Sequence, residues 1–201
     1  MTWDELPGRL GELQRGVTVN LTALLVDLWE NLQPEGSLEA LLSAIEIEAR
    51  VGAFQSFDLG ARTQHRSLRP GAGHPPDLID AAEAIARQRG RLVRDRAEDV
   101  LRRATERMVS PYARLAAQIL ITDAARTGTR ASALYDGATH KKFIRIRPVL
   151  EPRAHSRLEG KVLPIDEPFI IAGIPVHGPG DERLPWSERA WCGHGLRYLR
   201  R

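Results

Sequence analysis

Aliphatic positions recur along the first half of the chain at intervals of three and four residues. Leu6, Leu10 and Leu13 share one face of a short helix, and Leu21, Leu24, Leu25, Leu28 and Leu32 carry the spacing through VTVNLTALLVDLWENL. This period predicts amphipathic helices that bury one stripe. Pro34 and Gly36 predict a stop. Ser37 is suited to cap the next helix, whose apolar face is Leu38, Leu41, Leu42, Ile45 and Ala49. RSLRPGAGHPP, residues 66–76, is dominated by proline and glycine and predicts a flexible connection. A long helix is expected from Asp77. Ser110-Pro111 marks a restart, since proline is tolerated in a first helical turn. PYARLAAQILITDAARTG is the most apolar helix and is expected to end at Gly128. A further short helix is expected over 129–135, ending near Gly137.

Beyond residue 140 the period changes from helical to alternating. Phe143, Ile144, Arg145, Ile146 and Arg147 alternate as in a half-buried strand, KVLPI and PFIIAGIPV are short strand candidates, and GLRYLRR is a candidate last strand. Prolines at 148, 152, 164, 168, 175, 179 and 185 preclude long helices there. The pattern predicts an α+β protein, a helical N-terminal region followed by a small loop-rich β region. Its divisions are a helical region 1–66, a linker 67–76, helices over 77–137 and the β region over 140–201.

Composition changes this picture little. Hydrophobic residues make up 42% and charged residues 27%, ordinary for a globular chain. Aromatics are only 5%, so the core must rest on Leu, Ile, Val and Ala. No apolar run approaches the roughly 20 residues needed to span a bilayer. The N-terminus lacks a basic stretch leading into an apolar one, so no signal peptide is expected. The single cysteine, Cys192, excludes an internal disulfide.

Charge adds one candidate surface. The formal net charge is +3, and of 29 basic residues three are lysines and 26 are arginines. Residues 87–107 hold eight arginines against four acids, Asp95, Glu98, Asp99 and Glu106. Many lie three or four apart and can pair along one helix. That predicts a solvated, self-paired face. The competing expectation is a DNA-facing helix with Arg87, Arg91, Arg94 and Arg102 on phosphate, because arginine binds phosphate bidentately.

Reactive side chains gather in the β region, where His140, His155, His177, Cys192 and His194 lie. Cys192-Gly193-His194 is a tight pair of potential ligands and His155 a third, but zinc sites draw on ligand pairs at short spacing and a second pair is missing. No bound metal or cofactor is therefore expected, with His155, Cys192 and His194 as weak candidates. His155 lies between Arg153 and Arg157, which predicts a depressed pKa if both are near. No nucleophile elbow and no P-loop occurs. Asp166 and Glu167 are adjacent in a turn and point apart, which argues against a shared-proton pair.

The order ILITDAARTGTR, FIRIRPVLEPRAHSRLEGKVLPIDEPF and PGDERLPWSERAWCGHGLRYL resembles the Mu F-like minor head protein family of tailed phages. The residues that carry the resemblance are Asp123, Arg126, Arg145, His155, Leu158, Gly160, Pro164, Glu167, Phe169 and Cys192. It covers roughly residues 75 to 201, and 77–201 is the module it delimits. PVLEP stands where many members carry a cysteine pair, and Cys-Gly-His where they carry C-R-C, so a metal centre built on those cysteines would be largely missing here. The resemblance implies a non-enzymatic virion component at the portal vertex or inner capsid wall, active in head morphogenesis and DNA packaging. Implied partners are the portal or major capsid protein and packaged double-stranded DNA, with several copies per particle assembled in the host cytoplasm. A DNA-binding adaptor without a virion role is the first alternative, and an enzyme using His155 and Glu167 the second.

Overall fold

The computed structural model describes residues 2–30, 35–71, 77–103, 108–146, 154–181, 183–189 and 192–201. Four long helices come first: α1 (Leu6–Glu30), α2 (Glu35–Leu68), α3 (Asp77–Arg103) and α4 (Val109–Tyr135). The strands follow, β1 (His140–Arg145), β2 (Val162–Pro164), β3 (Phe169–Ile171), β4 (Ile174–Val176) and β5 (His194–Leu199). A short 3-10 helix (Ala154–Leu158) and a one-turn helix α5 (Trp186–Arg189) lie between strands. The expected order of helices then strands is present.

The helices share one core. Val17, Leu21 and Leu25 of α1 meet Leu42, Ile45 and Phe57 of α2, Val93 of α3, and Leu120 and Ile121 of α4. Each such side chain contributes about 1.5–3 kcal/mol when fully buried. The α2–α4 contact is close at two glycines, Gly60 against the Ala125 carbonyl and Gly128 against the Phe57 backbone, with Ala49, Ala53, Ala61, Ala113, Ala117 and Ala124 buried in the same core. Small side chains let the two backbones approach, and a Cβ at Gly128 would overlap the carbonyl oxygen of Phe57. At the same crossing Ser56 Oγ donates to the Ile121 carbonyl at 2.5 Å.

Several boundaries differ from the sequence expectation. Leu6–Leu13 and VTVNLTALLVDL form one helix, because nothing in Gly11 or Gly16 breaks a helix already bound along its apolar stripe. Gly128 does not end a helix. α4 runs through it to Tyr135 and absorbs the separate helix expected over 129–135. The stop comes at Gly137, whose φ of 68° permits the left-handed closing turn. There the Ala138 amide donates to Ala133 O (2.9 Å) and the Gly137 amide to Leu134 O (3.1 Å). α2 continues to Leu68, into the expected linker, and begins two residues before the expected cap at Ser37. Residues 72–76, Pro34 and the side chains of Ser37 and Arg102 lie outside what is described.

β1 is the centre of an antiparallel sheet ordered β2-β1-β5. Its register sets His140 against Leu199 and Arg145 against His194 on one side, and Lys142 against Val162 on the other. β3 and β4 form a hairpin joined by Ala172 and Gly173, both with positive φ (51° and 79°). That is the combination a two-residue hairpin turn requires. Phe143, Leu163, Phe169, Ile171 and Val176 make a second core beneath these strands.

The β region joins the bundle through a polar clamp and a small apolar cluster. The Gln64 side chain donates to Tyr198 O (3.0 Å) and accepts from Tyr198 N–H (3.1 Å), completing the edge of β5 from a helix. Buried Asp136 at the end of α4 meets His65 (2.8 Å) and Arg69 (3.1 Å) of α2. A small apolar cluster of Ala133, Ala138 and Tyr198 lies beside them.

Candidate functional site

The β fold closes two distant stretches of chain around one thiol. The 3-10 helix presents His155, the residue entering β5 is Cys192, and β5 opens with His194. All three are buried to 1% exposure or less. His155 Nε2 is 3.2 Å and His194 Nδ1 3.7 Å from Cys192 Sγ. Each ring is tied on its far side to a carboxylate, His155 Nδ1 to Glu188 of α5 at 2.5 Å and His194 Nε2 to Glu159 at 2.9 Å. Arg145 of β1 holds Glu159 in turn, at 2.7 Å. Phe143 packs against both imidazoles, at centroid distances of 6.0 and 5.4 Å.

The local electrostatics follow from this geometry. Burial would push the Cys192 thiol up, but hydrogen bonds with His155 and His194 and the charge of Arg126 overcome it and bring the thiol down to about 5. For His155, burial opposes the charged ring, yet hydrogen bonds with Cys192 and Glu188 raise its pKa above the ordinary value. This reverses the expectation drawn from Arg153 and Arg157. Arg157 is exposed, Arg153 lies outside the described residues, and the thiol and carboxylate in contact with the ring decide the direction. Glu159 is held below the usual carboxylate range by Arg145 first and His194 second.

A cleft of about 680 Å³ lies elsewhere, where α1, α4 and the β region meet. Among the described residues, Arg89, Arg126, Arg130 and Arg183 line it together with two acids, Asp123 and Asp181. Asp123 is shared by Arg126 (3.5 Å) and Arg89 (3.7 Å), and Arg126 also donates to the His194 carbonyl (2.8 Å), linking the cleft wall to the cysteine cluster. Gly180 takes φ 83° and leaves the Arg126 guanidinium room against its backbone, where a Cβ would displace it. Nearby Lys141 is buried over the Phe169 ring (5.3 Å) with its Nζ 3.4 Å from His177 Nδ1, and burial pushes its pKa down.

The sequence-derived residues distribute as follows. Leu158 and Phe169 are in the β core, and Gly160 takes φ 84° while its amide donates to Phe143 O (2.8 Å). Pro164 pairs with His140 at the edge of the sheet. Glu167 is exposed in a turn, its amide donating to Pro164 O, and the carboxylate on His155 is Glu188 instead. The expected arginine stripe is partly neutralised across helices. Arg94 binds Glu39 (2.8 Å) and Glu46 (3.3 Å) of α2, and Arg87 pairs with Glu83 of its own helix (3.6 Å). Arg91 is exposed, with no ion pair among the described residues.

Sequence reasoning missed Glu159 and Glu188, and it missed the cleft arginines Arg89 and Arg130. Nothing in local spacing marks the two glutamates. Comparison with protein-family models, with curated proteins and with solved structures finds no match. No helix among the described residues is long and apolar enough to cross a membrane.

Proposed function

We propose that this chain is a non-enzymatic minor head protein of a tailed phage, placed at the portal or inner capsid wall and active in head morphogenesis and DNA packaging. The supporting observation is what the motif residues do. Leu158 and Phe169 belong to the β core, His155 packs on Phe143 of that core and touches Cys192, and Gly160 makes the turn beside it, while Arg145 and Arg126 brace the outside through Glu159 and the His194 carbonyl. Such a motif builds a rigid docking unit. Cys192, His155 and Glu188 are in thiol-catalyst order, but the sulfur is 1% exposed and the cleft is lined by other residues. A substrate needs a path to the nucleophile.

DNA contact on this reading belongs to the cleft more than to the α3 stripe. Among the described residues, four arginines against two aspartates leave an excess of positive charge there, whereas Arg94 is already held by two glutamates. Such contacts would be non-specific and salt-dependent.

The test is fractionation of proheads and mature particles from cells producing the phage that encodes this chain. The protein should co-purify with both at defined stoichiometry, and absence from both refutes the proposal. Sequence-discriminating DNA binding that persists at high salt would favour the adaptor alternative instead.

A further inference from the structure

The inward faces of His155, Cys192 and His194 carry more lone pairs than hydrogens. A carboxylate accepts hydrogen bonds, so the nitrogens facing Glu188 and Glu159 hold the ring hydrogens. The two remaining nitrogens, His155 Nε2 and His194 Nδ1, then aim lone pairs at the same sulfur. A thiol has one hydrogen to give, so one ring stays unmatched. A buried unmatched acceptor costs about 1–3 kcal/mol. Moving the proton from sulfur to one ring leaves the other ring unmatched and buries two charges besides. A divalent cation relieves it fully, accepting a lone pair from each ring and one from the thiolate.

We propose that His155 Nε2, Cys192 Sγ and His194 Nδ1 form a three-ligand zinc site. Tetrahedral zinc with bonds of about 2.1 Å to nitrogen and 2.3 Å to sulfur sets those ligands about 3.6 Å apart. The two nitrogen–sulfur distances, 3.2 and 3.7 Å, bracket that value, and all three donor atoms lie within 4.8 Å of one another. Glu188 and Glu159 stand where imidazole ligands of zinc receive outer carboxylates, which fix ring orientation and raise basicity. The donor set of one thiolate and two imidazoles disfavours magnesium and calcium, which take oxygen. The site would tie the 3-10 helix to the start of β5, closing a 37-residue span of the β region. This departs from the expectation of no metal. The sequence expectation named the same three residues and set them aside because a second ligand pair was missing; with three protein ligands the fourth tetrahedral position falls to water. The inference is independent of the head-protein reading and survives its failure.

The test uses the full chain, purified without a histidine tag or chelator, with zinc measured by plasma mass spectrometry. About one zinc per chain is expected, falling to about a tenth or less in Cys192→Ser and His155→Ala. Cobalt(II) in place of zinc should give a near-ultraviolet sulfur-to-metal charge-transfer band that disappears in Cys192→Ser. Should those variants fail to fold, Glu188→Gln retains every ligand and should weaken zinc affinity about 10- to 100-fold in competition with a chromophoric chelator. A wild-type chain that holds little zinc and shows no cobalt charge-transfer band overturns the proposal. So does a band that survives Cys192→Ser. An affinity unchanged by Glu188→Gln counts against the role given to the carboxylates.

Discussion

Replacing Gly128 by alanine separates two meanings of a glycine in a helical pattern. In an exposed helix interior, Gly→Ala stabilises by about 0.8–1 kcal/mol, because alanine gives up less backbone freedom on folding. Gly16 of α1 is such a position, exposed and with nothing within 4 Å of an added Cβ. At Gly128 the added Cβ meets the carbonyl oxygen, carbonyl carbon and Cα of Phe57, all backbone atoms. No rotamer change can clear them, so α2 and α4 must separate within a core that also buries Ala49, Ala53, Ala117 and Ala124. Overpacking of this kind costs about 1–3 kcal/mol. With the helical gain subtracted from the upper end of that range, the net loss is about 2 kcal/mol. For a chain of this length each kcal/mol moves Tm by about 2–4 °C. Gly128→Ala should therefore melt about 4–8 °C lower and Gly16→Ala about 2–4 °C higher. The assay is urea and thermal unfolding followed by far-ultraviolet circular dichroism on both variants. An increase in Tm for Gly128→Ala matching that of Gly16→Ala would refute the close crossing of α2 and α4.

Three further outcomes test other contacts. Gln64→Leu leaves the Tyr198 amide and carbonyl unmatched at a buried edge and should cost about 2–4 kcal/mol, with loss of hydrogen-exchange protection at the Tyr198 amide. Ala172→Asn should stabilise by about 0.5–1 kcal/mol in urea titration, since asparagine tolerates the left-handed conformation that alanine is held in. The Arg183 side chain foremost, opposed by partial burial, holds the Asp181 carboxyl down at about 2 against an ordinary 3.8. A depressed carboxyl stabilises fully above its unfolded value, and that stability is lost as pH falls through the folded one. Asp181→Asn should thus flatten the acid limb of stability between about pH 4 and 2, by about 0.5–1 kcal/mol for a pair partly open to water.

Much of the fold was legible because helices and strands impose different periods on apolar residues. The leucines of α1 and α2 and the alternation in β1 announced their elements. Glycine was the source of error. Sequence alone does not tell a glycine that ends a helix from one that lets another helix approach, and Gly128 is the second kind. The polar joint had a signal that could have been read. Phe57, Gly60, Ala61, Gln64 and His65 follow one buried helical stripe, so two polar residues on that stripe required partners. The cysteine cluster was legible in its parts and not in its assembly. His155 and Cys192 are brought together by the pairing of β1 with β5, and the glutamates that orient the rings occupy a turn and a one-turn helix, too short to show a periodicity.

The polar joint between bundle and β region has a consequence for cooperativity. Heat capacity and denaturant sensitivity both scale with apolar surface exposed. The bundle core and the β core are separate clusters, and what crosses between them is the Gln64 clamp, the Arg126 bond to β5 and the small cluster in which Leu68 and Ala133 meet Tyr198, Ile165 and Leu196. Parting along this line uncovers that one small apolar cluster, less than either core, and breaks directional bonds that water can replace. The two halves can therefore lose their mutual orientation while each stays folded. In calorimetry this appears as two transitions, and in exchange experiments as an opening at the Tyr198 amide that urea barely accelerates.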